Sequence, residues 1–444
     1  MLTRSISGIR GLADSDLSPE FIRSVAAAAH QLMESGVIFI GRDSRRSGRN
    51  ISDEIIGTLL ELGRDVIECD IAPTPTIQFM VSSTDAAGGL VITASHNPSE
   101  WNGLKFISSD GTFFGPELCS DLFKKIDNSI EPIAADRPGM HLPDQNSIQR
   151  HIIHIAGLKC IDVKAIRSRN FSIVVDAVNG AGSDAIPHLL ESLGCNVIML
   201  NCDSDLDFPR PPEPLPENIT DLCSAVIEHN ADAGFALDPD GDRLAVVSDK
   251  GEPLSEEYTL VMAADGFLSA GNSTETLVTN LSTTLALEKA AHRYGAAVER
   301  TPVGEIHVVN KMKVSGSALG GEGNGGVILA ENHFGRDSLA AAALVLNRMA
   351  QSTEPISGWF SELPQFRMVK DRIELGDTDS DELFSKAEDI FFDADIDRQD
   401  GLKFTWDDRW IHLRTSNTEP ILRIYAEGRT FEEARELVDK IQNN

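Results

Sequence analysis

Short apolar runs alternate with amphipathic stretches through most of the chain. The run VIFI at 37–40 predicts a strand, and a helix capped by Asn50 follows it, with Ile51, Ile55 and Leu59 recurring at helical spacing. Further strands are predicted at DVIECD and GLVIT, with a helix between them. Strands separated by helices in this way favour a mostly parallel sheet.

The same order of strands and helices recurs twice more. FSIVVDAV at 171–178 and DAGFAL at 232–237 belong to a second unit, and TLVTNL at 276–281 and VILA at 327–330 belong to a third. Units that share an order without sharing sequence indicate a diverged internal repeat. Beyond Pro364 the pattern changes to a strand, a helix, two strands around WIHLRTSN, the strand ILRIYAE and a last helix, which is typical of an α+β domain.

These elements predict an α/β protein with three similar α/β domains, whose sheets are mixed or mostly parallel, and a smaller C-terminal α+β domain. The predicted domains are 1–150, 151–250, 251–363 and 364–444. A chain of 444 residues with 41% apolar content is long enough for three or four hydrophobic cores.

The charge of the chain argues against two classes of partner. With 39 basic and 69 acidic side chains the formal net charge is −30, which repels nucleic acid and anionic membranes. Any phosphate site must therefore be locally basic.

No apolar run reaches transmembrane length, residues 1–12 lack the apolar core of a signal peptide, and the six cysteines form no C-x-x-C pair. We therefore expect a cytoplasmic protein with reduced thiols. No feature of the sequence indicates an oligomeric state.

The first candidate site is the loop T-A-S-H-N-P at 93–98. It follows an apolar strand at its carboxyl end, where open parallel sheets place ligands, and Ser95 stands where a nucleophile is expected. The adjacent His96 does not make a catalytic dyad by itself, and loops rich in serine, asparagine and proline are most often turns. Both interpretations stay open on these residues alone.

The second candidate is D-P-D-G-D-R, again at a strand end. Asp238, Asp240 and Asp242 alternate along an extended backbone, which points their carboxylates the same way. Two like charges about 4 Å apart repel by about 4 kcal/mol at an effective dielectric of about 20, so the trio predicts a cation, and oxygen ligands with room for phosphate suit Mg2+. A calcium loop is excluded because Arg243 takes the position that needs glycine. A solvated acidic turn is the alternative.

The third candidate is R-T-S-N-T-E-P at 414–420. An arginine followed by hydroxyl, amide and backbone donors can hold a phosphate, although an ordinary polar loop has the same composition.

Two glycine-rich loops predict an alternative function, that of a dinucleotide-binding oxidoreductase. The loop at 321–326 fits G-x-G-x-x-G but precedes a strand, whereas G-A-G at 180–182 follows a strand and precedes a helix.

Taken together, these loops occur in the order seen in α-D-phosphohexomutases, which the chain resembles over nearly its whole length. The combination of T-A-S-H-N-P with D-x-D-G-D-R is highly specific, whereas neither half is. The resemblance implies four domains around a central cleft, each supplying one loop. It also implies a mutase that moves a phosphate between two hydroxyls of a hexose by means of a phosphorylated serine, Mg2+ and a hexose bisphosphate that serves as intermediate and activator.

The resemblance also implies roles for individual residues. Ser95 corresponds to the serine that carries the phosphate. The implied Mg2+ ligands are Ser95, Asp238, Asp240 and Asp242. The implied catalytic groups around the serine are Arg10, His96 and Lys105, with Lys105 as general acid or base. The implied substrate-binding residues are Arg243, Glu322, Asn324, Arg414, Ser416, Asn417 and Thr418.

The loop that the resemblance assigns to the sugar, residues 322–326 (the sugar loop), departs from the pattern of glucose and mannose phosphomutases. Gly326 stands in place of the usual histidine and Asn324 in place of serine. Three short motifs look more like those of divergent phosphoglucosamine mutases, namely T-P-V-G-E at 301–305, G-N-G-G and T-E-P. We therefore expect conversion of glucosamine 6-phosphate to glucosamine 1-phosphate, with mannose or glucose phosphate as alternatives. A non-catalytic sugar-phosphate binder and a phosphatase are rivals from other classes.

Overall fold

The protein is described by a computed structural model over residues 2–128, 134–375, 380–415 and 421–443. Its strands are β1 Thr3–Ser5, β2 Gly8–Leu12, β3 Ile38–Arg42, β4 Val66–Ile71, β5 Gly88–Ile92, β6 Trp101–Ser108, β7 His141–Pro143, β8 Ser172–Asp176, β9 Asn196–Leu200, β10 Ala233–Leu237, β11 Leu244–Ser248, β12 Thr276–Asn280, β13 Ala297–Thr301, β14 Leu319–Glu322, β15 Gly326–Leu329, β16 Arg367–Glu374, β17 Asp395–Asp397, β18 Leu402–Thr405, β19 Trp410–Thr415 and β20 Ile421–Gly428.

Its helices are α1 Pro19–Leu32, α2 Gly48–Glu61, α3 Thr74–Ser82, α4 Pro116–Asp127, α5 Ser147–Ala156, α6 Val163–Arg169, α7 Gly182–Ser192, α8 Thr220–Glu228, α9 Glu257–Ser269, α10 Ala286–His292, α11 Glu305–Ser315, α12 Ser338–Gln351, α13 Ile356–Glu362, α14 Ser380–Ile390 and α15 Phe431–Gln442. A 3-10 turn lies at Pro216–Asn218. Within the described ranges, none of these helices has the length and apolar content needed to cross a bilayer.

Three of the sheets contain the same four-strand unit. In the first sheet β3 has β4 and β5 as parallel neighbours, and β6 returns antiparallel to β5. The second sheet repeats this arrangement with β8, β9, β10 and β11, and the third with β12, β13, β14 and β15. The first sheet is extended to seven strands by β1, β2 and β7. The predicted internal repeat and mixed, mostly parallel sheets are confirmed.

The connection between the third and fourth strands of each unit carries predicted site residues. Residues 93–100 (the serine loop) join β5 to β6, residues 238–243 (the aspartate loop) join β10 to β11, and the sugar loop joins β14 to β15. Because the third strand of each unit is parallel to the first, each connection leaves the sheet at its carboxyl edge, where ligands bind in such sheets. The repeat therefore supplies three equivalent hairpins from which one site can be built.

The buried residues of the strands and helices show which units share a hydrophobic core. β5 and β10 are buried at every residue, as expected for strands covered by helices on both faces. The second and third units share one core, in which α12 is buried continuously from Ser338 to Asn347 and packs against α9. The first unit and the C-terminal unit have cores of their own.

The C-terminal unit is an antiparallel sheet of five strands in the order β16-β20-β19-β18-β17, with α14 and α15, which confirms the predicted α+β domain. It contacts the third unit through buried polar groups. Lys403 Nζ donates to the Leu281 carbonyl at 2.6 Å. Glu427 Oε2 accepts from the Leu285 amide and from Trp410 Nε1, each at 2.8 Å. Because Trp410 also belongs to the shared core of the second and third units, the last domain is anchored to it.

Two local predictions are wrong. α2 begins at Gly48, so Asn50 lies in its first turn and does not cap it. Ser47 precedes the helix but makes no capping bond, because its hydroxyl accepts a hydrogen bond from Asn102 Nδ2 at 2.9 Å. In the C-terminal unit three strands, β17, β18 and β19, precede β20 where two were predicted. β17 has three residues, which is too short to show an alternating pattern.

A buried carboxylate on α9 leads to a stability prediction. Asp265 accepts hydrogen bonds at 2.8 to 2.9 Å from three side chains, those of Tyr294, Arg348 and Trp359. Asp265→Ala leaves these donors without their acceptor, so we expect the shared core to lose about 3–5 kcal/mol of stability, measured by scanning calorimetry. Asp121→Ala, at an exposed acid on α4, is the control and should change stability by no more than about 0.5 kcal/mol. Equal losses in both variants would contradict the prediction.

Candidate active site

The serine loop contains a backbone conformation that residues with a side chain rarely adopt. Ser95 has a φ of +51°, in the left-handed region, which costs about 1–2 kcal/mol for a residue with a side chain. Its amide donates to Thr93 Oγ1 at 2.8 Å, and the Thr93 hydroxyl donates to Asp43 Oδ2 at 2.6 Å. These bonds place the Ser95 side chain in the interior of the protein, with 1% of the residue exposed.

The connection between β3 and α2 supports this loop. Arg45 forms a buried ion pair with Asp43, and its Nη2 donates to the carbonyl oxygens of Ser95 at 2.7 Å and Asn97 at 2.5 Å. Sequence reasoning missed Asp43 and Arg45. The available signal was the basic loop GRDSRRSGRN, which follows a strand of the same sheet and leaves it at the same edge as the serine loop.

Three carboxylates converge in the aspartate loop. One oxygen from each of Asp238, Asp240 and Asp242 lies within 4.8 Å of the others, and none of the three residues is more than 1% exposed. Lys105 Nζ, on β6, donates to Asp240 Oδ2 at 2.6 Å and to Asp242 Oδ2 at 3.3 Å. The Oδ1 atoms of Asp240 and Asp242 are buried with no hydrogen-bond partner in the described part of the chain. Buried carboxylate oxygens without donors fit a bound cation.

The pKa shifts in this cluster differ among the aspartates. Burial raises the pKa of Asp238 well above its usual value, and the neighbouring Asp242 and Asp240 raise it further. Burial also acts to raise the pKa of Asp240, but Lys105 outweighs it, so that pKa lies below its usual value. The pKa of Lys105 is raised overall, because the two aspartates it contacts outweigh its burial. Lys105 is therefore charged, and a cation bound beside Asp238 would lower the pKa of that carboxyl.

Ser95 connects the serine loop to the aspartate loop. Its Oγ donates to Asp238 Oδ2 at 3.2 Å, and His96 Nδ1 lies 3.4 Å from the same Oγ. Burial lowers the pKa of His96 well below its usual value, and Arg243 and Arg10 lower it further. The serine hydroxyl thus lies between a carboxylate and a neutral imidazole.

Two arginines border the cluster. Arg10 Nη1, on β2, donates to Asn97 Oδ1 at 2.8 Å, which places Arg10 beside the serine loop. Arg243 Nη1 pairs with Glu213 Oε1 at 3.0 Å, and its Nε lies 3.7 Å from Asp242 Oδ1. The site is therefore locally basic at its border within a strongly acidic protein, as a phosphate ligand requires.

The sugar loop presents a carboxylate that is fixed at both oxygens. Glu322 Oε1 accepts from Asn280 Nδ2 at 2.8 Å and from the backbone amide that precedes α11 at 3.1 Å. Glu322 Oε2 accepts from Arg336 Nη1 at 2.9 Å. Asn324 Oδ1 accepts from the Gly326 amide at 3.1 Å and so closes the turn.

Arg336 is a further residue that sequence reasoning missed. Its Nη2 donates to Asp242 Oδ2 at 2.7 Å, and its Nε lies 3.0 Å from Glu305 Oε2. Burial acts to lower the pKa of Arg336, but Asp242 and Glu305 outweigh it and the pKa lies well above its usual value. The sequence around Arg336 showed only the start of a helix, because Asp337, the next residue, caps α12.

The fourth predicted loop is described only in part. Arg414, near the end of β19, has its Nε 3.2 Å from Asp400 Oδ2. Ser416, Asn417 and Thr418 lie outside the described residues. The other three predicted loops, with Arg10 and Lys105, are brought together by the contacts given above.

The glycine-rich loops lack the geometry of a dinucleotide site. Residues 321–326 form the hairpin between antiparallel β14 and β15, so no helix follows them. Gly180 precedes α7, but a Cβ at this position would lie 2.6 Å from the Pro239 carbonyl oxygen. The Ala181 amide also donates to that oxygen, at 2.7 Å. The aspartate loop therefore covers the helix start that a pyrophosphate would need.

Four family models match the chain in succession. They are phosphoglucomutase/phosphomannomutase alpha/beta/alpha domain I at residues 2–132, domain II at 149–251, domain III at 255–366 and the C-terminal domain at 370–443. Their order agrees with three α/β units followed by a different fourth one.

Relatives match over the full length. A phosphoglucomutase/phosphomannomutase of Thermococcus kodakarensis is 36% identical, covering 97% of this chain and 96% of the relative. A probable phosphoglucosamine mutase of Methanopyrus kandleri is 33% identical, covering 98% and 95%. The crystal structure of a phosphoglucomutase/phosphomannomutase family protein from Burkholderia thailandensis matches with a TM-score of 0.85 at 25% identity, covering 99% and 97%. These matches confirm the resemblance to phosphohexomutases, and the chain belongs to the phosphoglucomutase/phosphomannomutase family.

Proposed function

We propose that this protein is a phosphosugar mutase that interconverts a hexose 6-phosphate and a hexose 1-phosphate through a phosphorylated Ser95. The observation that carries the proposal is the position of Ser95 Oγ, buried and 3.2 Å from Asp238 Oδ2, in a cluster that also contains Lys105. Phosphoryl transfer needs positioning and charge neutralisation, so no Ser-His-Asp triad is required. The full-length relatives named as mutases support the same reaction.

The reaction consists of two phosphoryl transfers in opposite directions. In the first, a hexose hydroxyl oxygen attacks the phosphorus of phosphorylated Ser95, and the bond from phosphorus to Ser95 Oγ breaks, which gives a hexose bisphosphate. In the second, Ser95 Oγ attacks the other phosphate of the bisphosphate, and the bond from that phosphorus to the sugar oxygen breaks. Each transfer moves one proton from the attacking oxygen to the departing one. Added hexose bisphosphate can therefore also activate enzyme that lacks the serine phosphate.

Two side chains in the cluster are assigned to this proton movement. Lys105 is the proposed general acid or base; because Asp240 and Asp242 outweigh its burial and raise its pKa, it is charged at rest and stabilises negative charge on a departing oxygen. His96 lies 3.4 Å from Ser95 Oγ, and because burial lowers its pKa the imidazole is neutral and can accept a hydrogen bond that orients the Ser95 hydroxyl for attack.

The proposal includes Mg2+ at the aspartate loop. The loop offers only oxygen ligands, and the Oδ1 atoms of Asp240 and Asp242 have no donor among the described residues, which fits a hard divalent cation. Asp238 and Ser95 would complete the set of protein ligands. When bound there, Mg2+ supplies positive charge to the phosphate oxygens during transfer.

The remaining parts of the substrate are assigned to the later loops. Arg243 would contact a phosphate, and Glu322 and Asn324 the sugar hydroxyls. The distal phosphate is assigned to Arg414, Ser416, Asn417 and Thr418. A guanidinium with nearby hydroxyl and amide donors is a suitable phosphate clamp. Such a clamp distinguishes a mutase, which must hold a second phosphate, from a phosphatase.

Glucosamine phosphate is our preferred substrate, with mannose or glucose phosphate as the alternatives. Glu305 lies at the start of α11, and burial raises its pKa to about 7. Apart from the ion pair with Arg336, neither of its carboxylate oxygens has a hydrogen-bond donor among the described residues. A buried carboxylate of this kind suits the ammonium of an amino sugar, because a neutral hydroxyl compensates its charge less well.

The role of Ser95 as phosphate carrier is tested by Ser95→Ala. Removal of the hydroxyl removes the atom that accepts the phosphate, so we expect mutase activity to fall by more than about 10³-fold. Activity is measured by coupled assay with glucosamine 6-phosphate, mannose 1-phosphate and glucose 1-phosphate, with Mg2+ and hexose bisphosphate present. Ser99→Ala, at an exposed serine of the same loop, is the matched control and should keep wild-type activity and the phosphate detected by intact mass. Turnover by Ser95→Ala at the wild-type level would refute the mechanism.

The cation assignment is tested by Asp240→Asn, with titration calorimetry of Mg2+ as the readout. Loss of one anionic ligand should weaken Mg2+ binding by at least about tenfold. Asp85→Asn, at an exposed aspartate between α3 and β5, should bind Mg2+ like the wild type. Unchanged Mg2+ affinity in Asp240→Asn would remove the aspartate loop as the binding site.

The preference for an amino sugar is tested by Glu305→Gln. We expect kcat/KM for glucosamine phosphate to fall about tenfold, since an ammonium loses its charged partner, while kcat/KM for glucose phosphate changes by less than about threefold. Because the pKa of Glu305 is about 7, the carboxylate is ionised above that pH and neutral below it, so the wild-type preference should decline from pH 8 to pH 6. Equal losses for both sugars would contradict the role of Glu305 and leave the mutase mechanism intact.

A further inference from the structure

Position 326 requires glycine for a steric reason. A Cβ built on Gly326 would lie 2.2 Å from Arg336 Cδ and 2.8 Å from Arg336 Cγ, closer than non-bonded carbon atoms can approach. Gly326 does not adopt a left-handed backbone conformation, unlike the neighbouring Gly325 with a φ of +87°. The need for glycine at 326 therefore comes from the space that the Arg336 side chain occupies.

The backbone around Arg336 is fixed in position. Asp337 caps α12 by accepting from the Leu339 amide at 2.8 Å, and the Ser338 hydroxyl donates to the Gly241 carbonyl at 2.6 Å. The start of α12 is thus bonded directly to the aspartate loop. Arg336 enters the site from a rigid helix end whose position is set by that loop.

The guanidinium of Arg336 joins three segments of the chain. It contacts Asp242 in the aspartate loop at 2.7 Å, Glu322 in the sugar loop at 2.9 Å and Glu305 at the start of α11 at 3.0 Å. Arg336 itself is only 9% exposed. A planar guanidinium can direct separate N–H groups to three carboxylates at once, whereas the ammonium of lysine is a single point charge.

We propose that Arg336 is a positioning residue for the mutase reaction, and that Gly326 and Arg336 act as one unit in which the arginine fills the space that a histidine at position 326 would occupy. Arg336 sets the distance between Asp242, which belongs to the cation-binding loop, and Glu322, which belongs to the sugar loop. It thereby aligns the sugar with the phosphate that is transferred. This inference rests on the proposed function.

A double-mutant cycle with Gly326→Ala and Arg336→Ala tests the unit. The added methyl group displaces the arginine, so Gly326→Ala alone should lower kcat/KM by more than about tenfold. Once the arginine is absent the nearest remaining atom is Asn324 Oδ1, at 3.0 Å, which a small shift of that amide accommodates, so adding Gly326→Ala to Arg336→Ala should change kcat/KM by less than about threefold. Gly57→Ala is the matched control, because a Cβ at Gly57 has no atom within 4 Å, and it should behave like the wild type.

Two further measurements separate positioning from general structural support. Arg336→Lys keeps the charge but concentrates it at one ammonium in place of the wider planar guanidinium, so it should stay at least about fivefold below the wild type in kcat/KM. Millimolar guanidinium chloride should restore part of the activity of Arg336→Ala and none of that of Gly326→Ala. Calorimetric titration with hexose phosphate in the absence of Mg2+ should show weaker sugar binding in Gly326→Ala, since Glu322 Oε2 loses its bond to Arg336 while Oε1 stays held.

The inference is overturned if Gly326→Ala keeps wild-type kcat/KM and sugar affinity, or if the losses in the two single variants multiply in the double variant. Should Arg336→Ala fail to fold, Gly326→Ala and Arg336→Lys still test whether Arg336 positions the sugar loop, because both retain a cation at position 336. A wild-type protein that turns over no hexose phosphate would instead refute the proposed function. An active wild type with independent effects at the two positions would refute only the coupling.

Discussion

The structure of the site depends on holding like charges together where water does not reach them. Asp238, Asp240 and Asp242 are buried side by side, and an uncompensated pair of such charges about 4 Å apart repels by about 4 kcal/mol at an effective dielectric of about 20. The compensating cations come from other parts of the chain, with Lys105 on β6 of the first unit and Arg336 at the start of α12 in the third. Neutralisation of charge therefore draws three units to one point, in addition to apolar packing.

The cores show which parts of the protein are joined most firmly. α12 belongs to the core shared by the second and third units, so the aspartate loop and the sugar loop are attached to one packed body. The first unit, which carries Ser95, has separate cores and reaches this body in two ways: α3 packs against α5, where Phe79 stacks on His151, and polar contacts join Ser95 to Asp238 and Lys105 to Asp240. The position of the serine relative to the aspartates is therefore set by this packing together with hydrogen bonds and ion pairs.

The sequence was informative where a feature is local. Periodicity predicted the three α/β units, and the apolar runs before Ser95 and Asp238 placed both residues directly after strands, as the structure has them, because strands and turns depend on adjacent residues. It was uninformative where a feature depends on distant partners. Arg45 supports Ser95 from 50 residues away, and Arg336 contacts Asp242 from 94 residues away, so neither role appears in a local pattern. The wrong prediction of the α2 cap has the same cause, since Ser47, which precedes α2, accepts a hydrogen bond from Asn102 on β6.

The three hairpins that build the site occupy the same place in three copies of one unit. A duplicated unit starts with identical hairpins, and each copy is then free to specialise. Under the proposed function one hairpin carries the phosphate, one binds the cation and one contacts the sugar. Because each hairpin ends on its own strands, residues in the third copy can change without altering the backbone of the first two. Such a division of labour allows descendants of one ancestral fold to exchange the sugar they accept and keep an inherited phosphate chemistry.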